Sequence, residues 1–308
     1  MINKEKFNDD KNEWISISTN STQEIEKILE DKDISKKDIY HIITEHKRAH
    51  VDYNNISDTL IFNFNVPNSK QGDDDTESSS IMVAITFIVK DNHFITITDS
   101  RSEYINKLVK KTLEEDSKIS SYILLFKSIL KIIDFSFISI EKMDEQRKVI
   151  DKAIRKNVSK KNLTELTGLQ MNMSYFISAS KQNKIILQEL ENKPLYTNMT
   201  KEEVEELNAD ISEEEQLVEM GQAAADVLQQ LSDNYNNIMN NNINDYMNAL
   251  TVLSVLLTLP SIISGYMGMN VMRLPLAHNP HGWSIILFIT VMAWIVASLM
   301  LRLWIRRK

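Results

Sequence analysis

Neutral side chains that carry oxygen recur at heptad spacing near the C-terminal end of the chain. Amide, hydroxyl and carbonyl oxygens are the donors that hard cations such as Mg²⁺ and Ca²⁺ prefer. On a helix, heptad spacing places such residues on one side, and a symmetric ring of these helices can enclose a polar path. Packing between helices through small residues would produce a similar pattern. The two neighbouring stripes are Asn244, Thr251, Thr258 and Gly265, and Met247, Ser254, Ser261 and Gly268.

Asparagine is concentrated just before this pattern. Asn is a mediocre helix former, so a dense group of amides predicts contact with water, with other amides or with an ion. Neutral amides can meet a hydrated Mg²⁺ without trapping it, and conduction requires binding weak enough for the ion to leave. Eight of fifteen consecutive residues are Asn, namely Asn234, Asn236, Asn237, Asn240, Asn241, Asn242, Asn244 and Asn248.

The segment that contains these amides is acidic. No Lys or Arg occurs between Lys201 and Arg273, and 12 acidic residues lie from Glu202 to Asp245. This one-sided charge is typical of a solvated acidic helix face. It also fits an electrostatic funnel that concentrates cations near a pore mouth.

Two uncharged apolar runs predict transmembrane helices. Met247–Met267 has 21 residues and Trp283–Leu301 has 19. At about 1.5 Å per residue the first run spans roughly 31 Å, the thickness of a hydrocarbon core. Aromatic residues that prefer the membrane interface lie at the ends of the runs, which favours spans over buried core helices. They are Tyr246, Tyr266, Trp283 and Trp304.

Pro260 lies inside the first predicted span. Proline removes one backbone donor, so we expect a kink or a locally opened helix there. The carbonyl that loses its partner needs another one, which a water-filled path could provide, or the kink could simply face lipid.

Basic residues indicate the orientation. Arg302, Arg306, Arg307 and Lys308 follow the second span, while the segment between the spans carries only Arg273. By the positive-inside rule, a multi-pass protein of the cell membrane with both termini in the cytoplasm is expected. No apolar run follows the charged N-terminal residues, so a cleavable signal peptide is not predicted.

The part before the spans is predicted to be an α/β domain, a sheet with flanking helices, that leads into a long stalk helix. Strands are predicted at 14–18, 59–66, 81–89 and 93–98, with a hairpin at Lys90–Asn92, and helices at 22–30, 35–50, 118–157, 160–191 and 201–245. The predicted division is a cytoplasmic α/β domain over 1–160, cytoplasmic helices over 161–245, spans over 246–267 and 283–304, an extracellular loop over 268–282 and a basic tail over 305–308.

Composition excludes several functions. A net charge of −8 argues against a nucleic-acid partner, and the absence of cysteine excludes disulfides and thiolate ligands. No phosphate-binding loop, zinc-protease or serine-hydrolase motif occurs, so an enzyme is not expected. His46 and His50, spaced i and i+4, and His278 and His281 in the outer loop could bind a metal, but solvated surface residues explain them as well.

Taken together, these residues resemble the CorA family of magnesium transporters. The likeness is strong over about residues 225–308 and architectural before that. It is carried by Asp233 and Tyr235, by Asn241, Asn244, Met247, Leu250 and Thr251, and by Gly268-Met269-Asn270 before a short loop, a second span and a basic tail.

The resemblance implies a homopentamer in the lipid membrane, with a funnel-shaped cytoplasmic domain and with the first span lining the pore. Asn270 would form the outer selectivity ring, held by Gly268 and Met269, with Asn244 as an inner ring and Asp233 as an acidic ring at the cytoplasmic mouth. Met247 and Leu250 would close the pore by dewetting, and Thr251, Thr258, Ser261 and Gly265 would line it. The family also implies Mg²⁺ as a regulator at cytoplasmic sites, for which Asp210 and Glu213 are the candidates.

Two departures from the family pattern affect selectivity. Met267 replaces the Tyr that usually precedes the Gly, with Tyr266 one position earlier, and the outer loop lacks an acidic cluster. A zinc transporter of the same superfamily is therefore an alternative, with Co²⁺ and Ni²⁺ as further candidate ions. A ligand-gated membrane effector on the same scaffold, or a non-conducting scaffold, is an alternative from another class.

Overall fold

The computed structural model describes residues 2–19, 21–32, 34–35, 38–40, 42, 49–69, 80–156, 159–269 and 279–305, the last five as backbone only. The chain divides into two compact units, Met1–Ser232 and Asp233–Lys308. The finer division expected from the sequence, with boundaries after residues 160 and 245, stays a prediction.

The first unit contains a mixed six-stranded sheet. Its order is β1-β2-β6-β5-β4-β3, with all neighbours antiparallel except β2 and β6, which are parallel. The predicted strands are confirmed, as is the hairpin, where Asp91 adopts the left-handed conformation with φ 47. The strands are β1 Ile2–Phe7, β2 Asn12–Ser18, β3 His50–Asn54, β4 Thr59–Pro67, β5 Met82–Lys90 and β6 His93–Thr98.

Helices cover the sheet. The face that carries Ile15, Ile17, Ile95 and Ile97 packs on helix α1, Thr22–Asp31, and on Ile34, Ile39 and Ile42. On the opposite face the Trp14 indole donates to the Thr96 hydroxyl at 3.2 Å. From the helix Tyr104–Glu115, the Asn106 side chain accepts from the Thr96 hydroxyl at 2.9 Å and donates to the Thr98 hydroxyl at 3.0 Å. Helices therefore lie against both faces of the sheet.

Long helices follow the sheet, as predicted, and no strand occurs after Thr98 among the described residues. They are α2 Tyr104–Glu115, α3 Ser121–Lys156, α4 Lys160–Leu190, a short 3₁₀ helix Pro194–Asn198, α5 Lys201–Met267 and α6 Gly282–Ile305. The last two contain the predicted spans.

The helix predicted over 35–50 is wrong at its C-terminal end. Residues 38–40 and 42 are helical, 43–48 lie outside the described residues, and His50 begins β3. The alternating segment His50–Asn54 pairs with β4, and this pairing overrides the local helical spacing. His46 also lies outside the described residues, and a strand position for His50 removes the i, i+4 geometry proposed for a metal.

Helix α5 begins with a capping box. The Thr200 hydroxyl accepts from the Glu203 amide at 3.3 Å, and the Glu203 carboxylate accepts from the Thr200 amide at 2.8 Å. The second carboxylate oxygen accepts from the Ser120 hydroxyl at 2.6 Å, which anchors the start of α5 to the residue before α3. The start of the long helix is therefore set by its own side chains.

Candidate pore site

Helices α5 and α6 each contain a stretch long and apolar enough to cross a membrane, and none of either stretch is buried. Core helices of a soluble protein would hide such surface from water, because apolar burial drives folding. The second unit therefore has the surface expected of membrane-spanning helices.

One side of α5 is half-buried where it packs on α6. This side is entirely apolar, and its partner on α6 is rich in small residues that allow close approach of the two helices. On α5 the half-buried residues are Val252, Leu256, Leu259, Pro260, Ile263 and Met267. On α6 they are Ile285, Ile286, Thr290, Ala293, Ala297 and Ser298, and Gly282 at the start of the helix is buried.

The predicted polar stripe lies on the other side of α5. At about 100° per residue, its centre is roughly 180° from the centre of the half-buried side. Packing against α6 therefore does not account for these small and hydroxylated residues. Thr251, Ser254, Thr258, Ser261, Gly265 and Gly268 are all exposed in the single chain.

The hydroxyls of this stripe are bonded to their own helix. Thr251 donates to the Met247 carbonyl at 2.8 Å and Ser254 to the Leu250 carbonyl at 2.8 Å. Thr258 donates to the Ser254 carbonyl at 2.7 Å, and Ser261 to the Leu257 carbonyl at 2.9 Å. Each hydroxyl thus has a fixed direction along the helix, as is usual for Ser and Thr that bond the i−4 carbonyl.

The residues expected at the cytoplasmic end of the pore are exposed as well. They are Asp233, Asn244, Met247 and Leu250, and each is exposed to solvent in the single chain. The eight Asn amides are likewise exposed, so the surface that they form is available to water or to another copy of the chain.

The end of α5 is closed by Gly268. Its amide donates to the Ser264 carbonyl at 2.9 Å, and the Met269 amide donates to the Tyr266 carbonyl at 3.4 Å. A Cβ on Gly268 would lie 3.3 Å from the Ser264 carbonyl oxygen, a tight contact that explains glycine at this position. Asn270, Arg273 and His278 lie outside the described residues, as does the tail after Ile305, and His281 is exposed.

Pro260 does not interrupt the helical assignment of α5. The carbonyl that would have accepted from its missing amide belongs to Leu256, four residues earlier. The Trp294 indole of α6 donates to that carbonyl at 2.9 Å. The partner that the sequence left open is therefore a side chain of the second apolar helix, and sequence reasoning missed it although Trp294 is the one Trp inside a span.

Two acidic side chains of α5 are buried in the first unit. Asp210 and Glu214 are 0% and 1% exposed, and the carboxyl oxygens of Asp210 have no hydrogen-bond partner among the described residues. Burial raises the pKa of Asp210 well above its ordinary value, and Glu206 and Glu214 raise it further. Burial also raises the pKa of Glu214 to about 8, although Asn183 and Ser180 beside it lower that pKa in part.

The predicted regulatory residues thus have different surroundings. Asp210 is buried and Glu213 is half-exposed on the neighbouring turn. No group of three or more His, Cys, Asp or Glu that could hold a metal occurs among the described residues. Sequence reasoning missed Glu214, although its i+4 spacing from Asp210 places both on one helix face.

A sheet-and-helix domain, a long helix with an exposed polar stripe and two unburied apolar stretches are together typical of an integral membrane protein that transports ions. The chain belongs to the CorA-like Mg²⁺ transporter family, whose model matches residues 9–307. Mg²⁺ is the transported substrate of that family, which is a family of transporters and not of enzymes.

Individual relatives support this assignment. The chain is 27% identical over 239 residues to the cobalt/magnesium transport protein CorA of Methanocaldococcus jannaschii, covering 75% of this chain and 73% of the relative. The complete structure of the CorA magnesium transporter of that organism matches with a TM-score of 0.78 at 21% identity, over 99% of this chain and 93% of the other. The predicted fold, an α/β domain with a long helix and two C-terminal apolar helices, is thereby confirmed, and the homopentamer stays a prediction.

A structure of the ZntB cytoplasmic domain from Vibrio parahaemolyticus is also similar in fold. It matches with a TM-score of 0.58 at 13% identity, over 75% of this chain and 88% of the other. At this identity the likeness concerns the fold alone.

Proposed function

We propose that the protein conducts hydrated Mg²⁺ across the cell membrane through a homopentameric pore lined by α5. The observation that carries this proposal is the exposed polar stripe of α5 on the side opposite to α6. If copies surround an axis with α6 outside, the stripe faces the axis and the apolar surfaces face lipid.

The residues along the proposed pore then have distinct roles. Asn270 forms the outer selectivity ring on the turn made by Gly268 and Met269, and Asn244 forms an inner ring. Met247 and Leu250 form an apolar constriction that closes by dewetting. Thr251, Thr258, Ser261 and Gly265 line the path between the rings, and Asp233 attracts cations at the cytoplasmic mouth.

Reaction of single cysteines with a water-soluble thiol reagent tests the lining directly. The chain has no cysteine, so each variant carries one reactive thiol. Ser254→Cys and Thr258→Cys should react at least about tenfold faster than Leu253→Cys, because thiolates form in water and not in hydrocarbon. Leu253 is exposed and adjacent to Ser254 but points away from the stripe. Equal rates at the three positions would contradict a pore lined by this stripe.

Ion specificity is tested by flux into liposomes. Purified protein should pass Mg²⁺, and hexa-ammine cobalt, which mimics hydrated magnesium, should block it. Flux of Zn²⁺ without Mg²⁺ would favour the zinc transporter alternative, and no flux of either ion would favour a scaffold or an effector. A complex in detergent that is not a pentamer would contradict the proposed assembly.

We also propose that intracellular Mg²⁺ regulates the pore, with Asp210 and Glu213 as candidate ligands. Ligand binding to the folded state alone stabilises it, by about 2.7 kcal/mol at 100 times the dissociation constant. The melting temperature should rise between zero and millimolar Mg²⁺, and the rise should shrink in Glu213→Gln and Asp210→Asn. Glu219→Gln, an exposed acid on the same helix, is the control. A melting temperature that does not change between zero and millimolar Mg²⁺ would contradict regulation by intracellular Mg²⁺.

A further inference from the structure

Two groups that membrane lipid cannot satisfy lie together between α5 and α6. Pro260 leaves the Leu256 carbonyl without its helical donor. Trp294 is the thirteenth of the 24 residues of α6, far from the interface that Trp usually prefers. Its indole N–H is 2.9 Å from that carbonyl oxygen. Each group therefore supplies the partner that the other lacks in hydrocarbon.

The position of this bond is specific. Leu256 and Pro260 lie on the half-buried side of α5 that packs on α6, opposite the polar stripe. The bond joins the helices between the levels of Ser254 and Thr258, where the ladder of backbone hydrogen bonds is broken. A proline break leaves a helix free to bend about that point, and a bond across the break restricts the bend.

We propose that Trp294 is a positioning residue. Its indole replaces the donor that Pro260 lacks, and this fixes the orientation of the part of the stripe after Pro260 relative to the part before it. Below the break lie Thr251 and Ser254, and above it lie Ser261 and Gly265. Removal of the indole donor changes the alignment of these two halves of the lining. The inference rests on the proposed pore only for its flux readout, because the bond itself is independent of what passes along the stripe.

The test is a pair of substitutions with their combination. Trp294→Phe keeps the aromatic ring and removes the donor, and we expect a melting temperature lower by about 2–4 °C and Mg²⁺ flux lower by at least about threefold. Pro260→Ala restores a backbone donor to the Leu256 carbonyl. In that background Trp294→Phe should have less than about a third of its effect on both quantities, since the carbonyl stays paired.

A spectroscopic readout separates this role from simple packing. The ultraviolet resonance Raman difference between the wild-type protein and Trp294→Phe should show a hydrogen-bonded indole N–H. Trp283→Phe, which changes the exposed Trp near the start of α6, is the control and should leave the melting temperature unchanged.

Three outcomes would overturn the proposal: equal losses in both backgrounds, no loss in either, or an indole N–H without a hydrogen bond. If the protein conducts no Mg²⁺ at all, the melting temperatures and the Raman band still decide the matter. Failure of the pore proposal is thus distinguished from failure of this one.

Discussion

Replacement of Asn270 by alanine is expected to reduce Mg²⁺ flux by about 10- to 100-fold. A hydrogen bond to a charged partner contributes about 1.5–3 kcal/mol, and each 1.4 kcal/mol is a tenfold change in an equilibrium. In a ring, the amide oxygens would accept from the water shell of the ion and lower the barrier to entry. Alanine offers no acceptor, so the hydrated ion would lose these contacts at the outer mouth.

Uptake of Mg²⁺ into liposomes measures this effect, with assembly checked in detergent. Asn279→Ala is the matched control, because Asn279 is another exposed Asn of the segment between α5 and α6, and its side chain accepts from the His281 amide at 2.9 Å. Normal Mg²⁺ flux in Asn270→Ala would contradict the proposal that Asn270 forms the outer selectivity ring. A loss of flux in both variants would show that the segment between α5 and α6 is sensitive to any change.

The stability of the first unit is expected to fall as the pH rises. The pKa of Glu214 is raised to about 8 from an ordinary value of 4.5, so the folded state holds a proton that the unfolded state releases. The contribution of this bound proton to the free energy of unfolding is fully present below pH 4.5 and is lost as the pH rises through 8. Between pH 5 and pH 8 the loss is about 3–4 kcal/mol. Asp210, whose pKa is raised as well, adds a loss of the same sign.

Denaturant unfolding of the intact protein across this pH range gives the measurement. In Glu214→Gln the side chain cannot ionise, so the part of the slope that Glu214 causes should disappear and stability at pH 8 should rise, while the part that Asp210 causes should remain. Glu219→Gln removes an exposed charge from the same helix and should keep the wild-type slope. A wild-type stability that does not change from pH 5 to pH 8 would contradict the buried, neutral state of Glu214.

The elements of the molecule were predictable wherever one short-range pattern dominates. Four strands show alternation or β-branched runs, and the long helices show helical apolar spacing, so both were found from the sequence. The edge strands β1 and β3 were not, because they are short and polar and depend on a partner for their structure. At His50 that partner, β4, decides the outcome against the local pattern.

The candidate pore was predictable in its spacing but not in its orientation. Heptad spacing is a property of one helix, so the stripe from Asn244 to Gly268 could be read directly. The side of α5 that packs on α6 depends on the register of two helices, which no single segment encodes. For the same reason the bond between Trp294 and Leu256, and the burial of Glu214 beside α4, appear only in three dimensions.

The direction of the stripe hydroxyls has a consequence for charge discrimination. Each of the four hydroxyl protons is committed to a backbone carbonyl, so each oxygen offers only lone pairs to whatever passes. The water around a cation points its hydrogens outward and finds acceptors at every step. Water around an anion points its lone pairs outward and finds no hydroxyl donor. In the proposed pore, these four hydroxyls would therefore favour cations over anions without a formal charge.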